Sequence, residues 1–343
     1  MITQWVIQIL VALLAFGIII FIHELGHFIV AKSVGITVHE FALGMGPRLF
    51  SFRRGETVYS LRLVPIGGFT QMEGEDEESS DAGSFGKKKV WQRILVVVAG
   101  AAMNILLGFF ILLGLSIGED GLSSTTIARF SEGAVSSEML MEGDRITHVN
   151  GQRVRIGNDL IFEMLRDGDG VIDFGVVRDE EPVQLKGVVF NTRKAQDGTN
   201  LVTLDFKVYA VTKTPLNVLK YAWYWTAGTV REVWVSFLDL ITGKYGLSQL
   251  SGPVGVTSAI GEATGMGLSS LLSLVALITI NIGVFNLLPA PALDGGRLVF
   301  LLIEAIFRRK VPPKYEAYVH AAGLVALFGL MLIVTVGDIA RLL

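Results

Sequence analysis

The sequence predicts an α-helical membrane protein with four transmembrane helices, a membrane-associated β-hairpin region and one extracytoplasmic α+β domain. Three observations carry that prediction. Of 343 residues, 51% are hydrophobic and only 18% charged, where a soluble domain has about a quarter charged. The charges avoid four runs, each long enough to cross about 30 Å of hydrocarbon as a helix. Residues 119–267, between the second and third runs, have room for one soluble domain of about 90 residues plus a further element. The net charge of −3 is too small for a nucleic-acid binder working through a basic face. Cysteine is absent, which excludes disulfides, thiolate metal sites and cysteine nucleophiles. Any metal must therefore be held by carboxylates and the 5 histidines.

The first 22 residues carry no charge and no histidine, and the stretch Trp5 to Ala31 is interrupted only by Gln8, His23, Glu24 and His27. Ile94 to Gly118 adds 25 residues, Ala263 to Leu293 adds 31, and Ala317 to Gly337 adds 21. The third run is too long for one straight span, so its crossing part is expected near Leu268 to Leu288. The first lacks a basic leader and exceeds a signal-peptide core, so it is expected to stay as a span. Nine Lys and Arg lie from Lys32 to Arg93 and four more at Arg308, Arg309, Lys310 and Lys314, with none before Lys32. Basic connections stay inside, which places 32–93 and 305–316 in the cytoplasm and both termini and 119–267 outside. The expected organisation is a first span (1–31), a cytoplasmic segment (32–93), a second span (94–118) and an outer domain (119–212). An interfacial helix and connection (213–262), a third span (263–304), a cytoplasmic loop (305–316) and a fourth span with the C-terminus (317–343) follow.

Within 32–93, Arg48 to Arg53 and Thr57 to Val64 read as strands around a Gly55-Glu56 turn. The alternatives are a short amphipathic loop or a hairpin whose free edge, over 48–64, pairs with an extended substrate. The acidic run Glu73 to Asp81 reads as solvated. In the outer segment, EGAVSSEMLMEGDRITHVNGQRV (132–154) gives a turn at Gly143-Asp144, a strand at Arg145 to Val149 and a tight turn at Asn150-Gly151. A short helix over Asp159 to Arg166 and strands at Val171 to Arg178 and Val183 to Val189 follow. This stretch resembles a PDZ domain of the permuted bacterial protease type; another small α+β module is the alternative. Residues 216–243 hold Trp223, Trp225 and Trp234 with Lys220, Arg231 and Glu232, a mixture suited to the headgroup level.

The chemistry centres on His23-Glu24-Leu25-Gly26-His27. Positions i and i+4 share a helix face, so both imidazoles can reach one Zn²⁺ with Glu24 beside it as general base, a known metalloprotease pattern. Ionisable groups in a span are costly and need partners; a polar helix contact or a proton relay is the alternative use. A catalytic zinc usually takes three protein ligands. His39, His148, His320 and Asp294 are candidates for the third. Asp294 stands out, because Pro289 and Pro291 break the helix before it and the freed backbone groups need a protein- or water-lined pocket. Its alternative is a helix end paired with Arg297.

Together, HExxH in the first span, NxxPxPxLDGG at 286–296 and the outer domain resemble the site-2 protease family of intramembrane zinc metalloproteases. The bacterial regulator-of-sigma-E protease type is the nearest pattern, here with a single PDZ domain. The resemblance implies zinc ligation by His23, His27 and Asp294, with Glu24 as base and Asn286 positioning substrate. Pro289, Pro291, Gly100 and Asn104, the latter two in a small-xxx-Asn element of the second span, are expected beside the substrate. It also implies a multi-pass protein of the bacterial inner membrane that cleaves single-span proteins such as anti-sigma factors or signal-peptide remnants, with a peptide C-terminus able to meet the PDZ groove. A divalent-metal transporter and a non-catalytic PDZ-type scaffold are the rival functions; neither accounts for both a base between the histidines and an outer peptide-binding domain.

Overall fold

The computed structural model describes residues 2–75, 79–194, 200–244, 250–309 and 311–342. In chain order the elements are α1 (Ile2–Ser33), β1 (Val38–Arg54), β2 (Thr57–Met72), α2 (Val90–Gly118), β3 (Leu122–Phe130), β4 (Arg145–Val149), β5 (Gln152–Arg153) and α3 (Gly157–Leu165). Next come β6 (Val171–Arg178), β7 (Glu181–Val189), β8 (Thr192–Lys194), β9 (Asn200–Val202), β10 (Phe206–Val211) and α4 (Pro215–Ile241). Last are α5 (Pro253–Met266), α6 (Leu268–Asn286), α7 (Asp294–Phe307) and α8 (Pro313–Leu342). They fall into two units, Met1–Ile111 with Val233–Leu343, and Leu112–Glu232.

Among the described residues four helices are long and apolar enough to cross a membrane: Val6–Ser33, Val90–Gly118, Leu268–Asn286 and Lys314–Ala340. Each expected run falls on one of them. The third run is divided: Gly267 breaks the helix at φ 114°, so residues 263–266 form the end of α5 and the crossing helix starts at Leu268. A further helix, α7, restarts at Asp294 instead of continuing the span. In α1 the inward positions Ala12, Ala15 and Ile19 are buried, while Leu10 and Leu14 are exposed, as a helix between protein and lipid requires.

Between α1 and α2, β1 and β2 bend back on themselves. Phe41 pairs with both Tyr59 and Thr70, and Phe52 pairs with Tyr59. The antiparallel order is therefore 68–72, 38–43, 57–61, 48–54, with 68–72 on one edge. The strands expected at 48–53 and 57–64 are present; the sheet extends well beyond them. Gly44, Gly46 and Gly67 carry the bends at φ 86°, 83° and 85°, where a Cβ is disfavoured. Glu40, buried in this sheet, accepts from Arg48, Ser60 and Arg62. Burial pushes its carboxyl up, but those hydrogen bonds outweigh it and hold the group down at about 2. Residues 76–78 of the acidic run and Lys310 of the basic loop lie outside the described residues.

The second unit is built on a sheet in the order β10-β3-β4-β6-β7, with β5 on β4. Ile127, Ile146, Leu160, Met164, Ile172 and Phe174 fill its core. Strands β4 and β6 occupy the expected residues, and Asn150 and Gly151 turn at φ 47° and 77°, the conformation of a tight hairpin. Asp144, 1% exposed, takes a two-point contact from Arg178 at 2.7 and 2.8 Å and the Met141 N–H at 2.9 Å.

Helix α4 lays Val218 and Tyr221 on Leu122 and Ile156. Further along, Arg231 pairs with buried Glu163 of α3 at 2.8 Å. Burial, with Asp159 and Glu163 adding to it against Arg231, pushes the Glu232 carboxyl from 4.5 up to about 7. A carboxyl raised on folding binds more protons folded than unfolded, so stability falls as pH rises through that window. Glu232→Gln is expected to melt like the parent at pH 5. At pH 8 it is expected to be more stable by on the order of 2 kcal/mol, a shift of a few degrees by intrinsic fluorescence. A gain at pH 5 as large as at pH 8 would contradict this.

Candidate active site

The site begins with the helical repeat of α1, which stacks His23 and His27 one turn apart, ring centroids 4.8 Å from each other. Gly26 lets α2 approach: a Cβ there would lie 2.4 Å from the Ala99 carbonyl. Gly100 does the same for the rings, since its Cβ would fall 2.3 Å from His27 Nε2 and 2.8 Å from His23 Nε2. His27 Nδ1–H donates to the Val96 carbonyl at 2.8 Å, which leaves the Nε2 lone pair facing inward. The amide of fully buried Asn104 lies 3.4 Å from His23 Nδ1.

Asp294 arrives from the start of α7. The chain at 287–293 folds over that helix so tightly that a Cβ on Gly295 would lie 1.9 Å from the Leu288 carbonyl, and one on Gly296 2.6 Å from that of Ala290. This is the physical reason for two glycines after the aspartate. Ala292 sits at φ 71° and donates its N–H to His320 Nδ1 at 3.0 Å, so His320, a candidate third ligand in the sequence, fastens the turn. Gly323 of α8 packs on Pro291, and Arg297 pairs with Glu75 rather than with Asp294.

These elements bring three donor atoms into a nearly equilateral triangle. His23 Nε2 and His27 Nε2 are 3.2 Å apart, and Asp294 Oδ2 is 3.2 and 3.3 Å from them. Among the described residues it is the one group of three His or carboxylate ligands with all donor atoms within 4.8 Å. Asp294 Oδ2 is buried without a hydrogen bond. Three lone pairs facing one another in a buried site repel unless a cation sits between them. Tetrahedral bonds of roughly 2.0–2.1 Å hold their donors about 3.3–3.4 Å apart, so the triangle fits a zinc ion.

Glu24 lies beside the triangle, receiving the Thr70 hydroxyl on Oε2 at 3.0 Å. Together they line a cavity of about 1040 Å³ whose wall is the edge strand 68–72. A Cβ on Gly68 would come within 3.0 Å of Glu24 Cγ. Thr70 and Gly68 escaped the sequence reading because only the long-range register of β2 carries them to Glu24. His39, paired with Glu73 at 2.5 Å, lines the same cavity; His148 belongs to the second unit, beside Thr147 at 3.1 Å. Asn286, Pro289 and Pro291 are not among the residues lining the cavity: Asn286 ends α6 and both prolines are exposed in the turn after it. The hairpin edge beside the site is 68–72, not the 48–64 stretch expected to meet a substrate.

The profile of peptidase family M50 matches residues 11–330. The regulator of sigma-W protease RasP of Bacillus subtilis is 31% identical to this chain, covering 96% of it and 97% of its own length. The zinc metalloprotease RasP of Bacillus licheniformis is 32% identical, over 96% and 98%. CPE1693 of Clostridium perfringens, which bears a zinc-metalloprotease name, is 37% identical over 96% and 98%. A profile match of that extent, with relatives similar from end to end, shows that the chain belongs to peptidase family M50.

Proposed function

We propose that this multi-pass membrane protein is an intramembrane zinc endopeptidase that cleaves single-span proteins within or near the bilayer. One observation carries the reading: a His–His–Asp triangle of zinc dimensions, its Asp294 Oδ2 buried without a hydrogen bond, with a carboxylate beside it, built on an apolar span. His23, His27 and Asp294 hold the ion. Zinc supplies the Lewis acidity that polarises the scissile carbonyl and lowers the pKa of a water toward about 7. Glu24 takes the proton from the attacking water and returns it to the leaving amine. The purified chain is expected to carry about one zinc and to cut a reporter transmembrane helix; zinc flux in liposomes without cleavage would favour a transporter instead.

A helical substrate hides its carbonyls in its own hydrogen bonds and must unwind to be cut. Strand 68–72 has β1 on one side and, among the described residues, no strand on the other, so an extended substrate can pair there. Asn286 is assigned to holding substrate backbone, at the C-terminal end of α6. Thr70 aims Glu24. Thr70→Val is expected to slow cleavage roughly tenfold, the worth of one hydrogen bond to a charged group, with zinc content unchanged; an unaffected rate would remove Thr70 from the scheme.

Asn104 is assigned to His23 rather than to substrate. With Nε2 on the metal, Nδ1 carries a proton and needs an acceptor, so the Asn104 amide, whose Nδ2 lies 3.4 Å away, is assigned the turned orientation that presents Oδ1 to it, as the Val96 carbonyl does for His27. Asn104→Leu is expected to weaken zinc binding 10–100-fold, as loss of an orienting partner does, in competition with a chelator. Unchanged affinity would return Asn104 to a packing role.

The Bacillus subtilis relative is named a regulator of sigma-W protease, and anti-sigma factors, which the family resemblance implies, are proposed as one substrate class. We assign both termini and the second unit to the extracytoplasmic side, because the basic connections 32–93 and 305–316 are expected to stay in the cytoplasm. Within that unit, residues 119–212 are assigned as a single PDZ domain, a filter on substrates already shortened by another protease.

A further inference from the structure

Away from the catalytic residues, the second unit has a cavity of about 700 Å³ between β3, β4, β5 and the start of α4. Arg145, Arg153, Arg155 and Lys220 line it, together with His148, and no carboxylate does. All four cations are exposed, and no side-chain hydrogen bond or ion pair satisfies any of them among the described residues. Arg155 leans over the Tyr224 ring, 5.7 Å from its centroid, and its charge is felt by Asp159. Four like charges around one hollow raise its positive potential and attract an anion.

The neighbouring face of α4 says which kind of anion. Leu216, Leu219 and Trp223 are 58%, 48% and 62% exposed. They follow the i, i+3, i+7 spacing of one helical stripe, next to Lys220 and Tyr224 on the cavity side. A stripe of large apolar side chains bordering a cationic hollow is the pattern of a surface that meets acyl chains and headgroups together. On its β10 side β3 is already paired from Leu122 to Phe130, so a peptide cannot add there as a strand.

We propose that this surface binds an anionic phospholipid, with its phosphate among Arg145, Arg153, Arg155 and Lys220 and its chains along Leu216, Leu219 and Trp223. The site ties the second unit to lipid through α4 and does not depend on the hydrolytic reading of the metal triangle.

The test uses the full chain in neutral detergent with an equal mixture of phosphatidylglycerol and phosphatidylcholine, read by native mass spectrometry. Phosphatidylglycerol is expected to be retained at least tenfold over phosphatidylcholine. A cation beside an anionic lipid contributes about a fivefold factor, so Arg153→Gln with Arg155→Gln is expected to cost at least tenfold of that preference. Replacing both by Lys keeps the charge and is expected to keep most of it, which guards against a folding defect in the Gln pair. Lys186→Gln, exposed on β7 outside the cavity, is expected to change nothing. Four outcomes overturn the proposal: no headgroup preference in the parent, a preference that survives in the Gln pair, displacement of the lipid by inorganic phosphate, or displacement by a heptapeptide with a free C-terminal carboxylate.

Discussion

Glu24→Gln is expected to retain about one zinc per chain and to lose cleavage of a reporter transmembrane substrate by roughly 10³-fold or more, within the range a lost acid–base group costs. The substitution changes little else. Glutamine has the same shape, still accepts the Thr70 hydroxyl that now meets Oε2 at 3.0 Å, and still fits under Gly68, where a Cβ would come within 3.0 Å of Cγ. The three donor atoms of the triangle belong to other residues, so the metal keeps its ligands. What disappears is a carboxylate able to take a proton and give it back. Turnover at the parental rate would overturn the base assignment; loss of zinc would instead show that Glu24 supports the metal.

How much of this was legible in the sequence depended on distance along the chain. The His23 and His27 pair was readable because helical periodicity alone fixes it. The four spans were readable because lipid tolerates few charges, and the β4 strand because local turn chemistry at Gly143-Asp144 and Asn150-Gly151, with Gly143, Asn150 and Gly151 all at positive φ, brackets it. The doubled register of β1 on β2 was not readable. It pairs Phe41 with residues both 18 and 29 positions away, and nothing local in 65–72 marks that stretch as the edge beside Glu24. Nor was α5, whose last residues merge into the apolar run; Gly267 divides them only through its backbone conformation. Asp338, a lone acid just after the fourth run, proves to be buried and to accept the Gly252 and Gly255 N–H groups at 3.2 and 2.7 Å. It caps α5 from another helix, a partnership with no local signature.

Asp294→Ala is expected to strip the metal outright. The parent should hold about one zinc per chain after dialysis, and the variant less than roughly a tenth of that, a larger loss than the 10–100-fold expected of an orienting residue such as Asn104. Two imidazoles remain, His23 Nε2 and His27 Nε2 at 3.2 Å, but the negative donor and the third corner of the triangle are gone, and structural and catalytic zinc sites alike need at least three protein ligands. The fold has little reason to suffer. Asp294 opens α7, where alanine is well tolerated, and the close packing of that turn rests on Gly295, Gly296 and the His320 contact to Ala292. Melting near the parental temperature, measured on metal-free samples of both proteins, therefore separates lost ligation from lost folding. Cleavage should vanish together with the metal, whereas in Glu24→Gln it vanishes while the metal stays, and that contrast distinguishes a ligand from a base. A variant that kept a full zinc complement without Asp294 would falsify the triangle as the metal site and, with it, the pairing of the first span with the Pro-broken segment on which the hydrolytic reading stands.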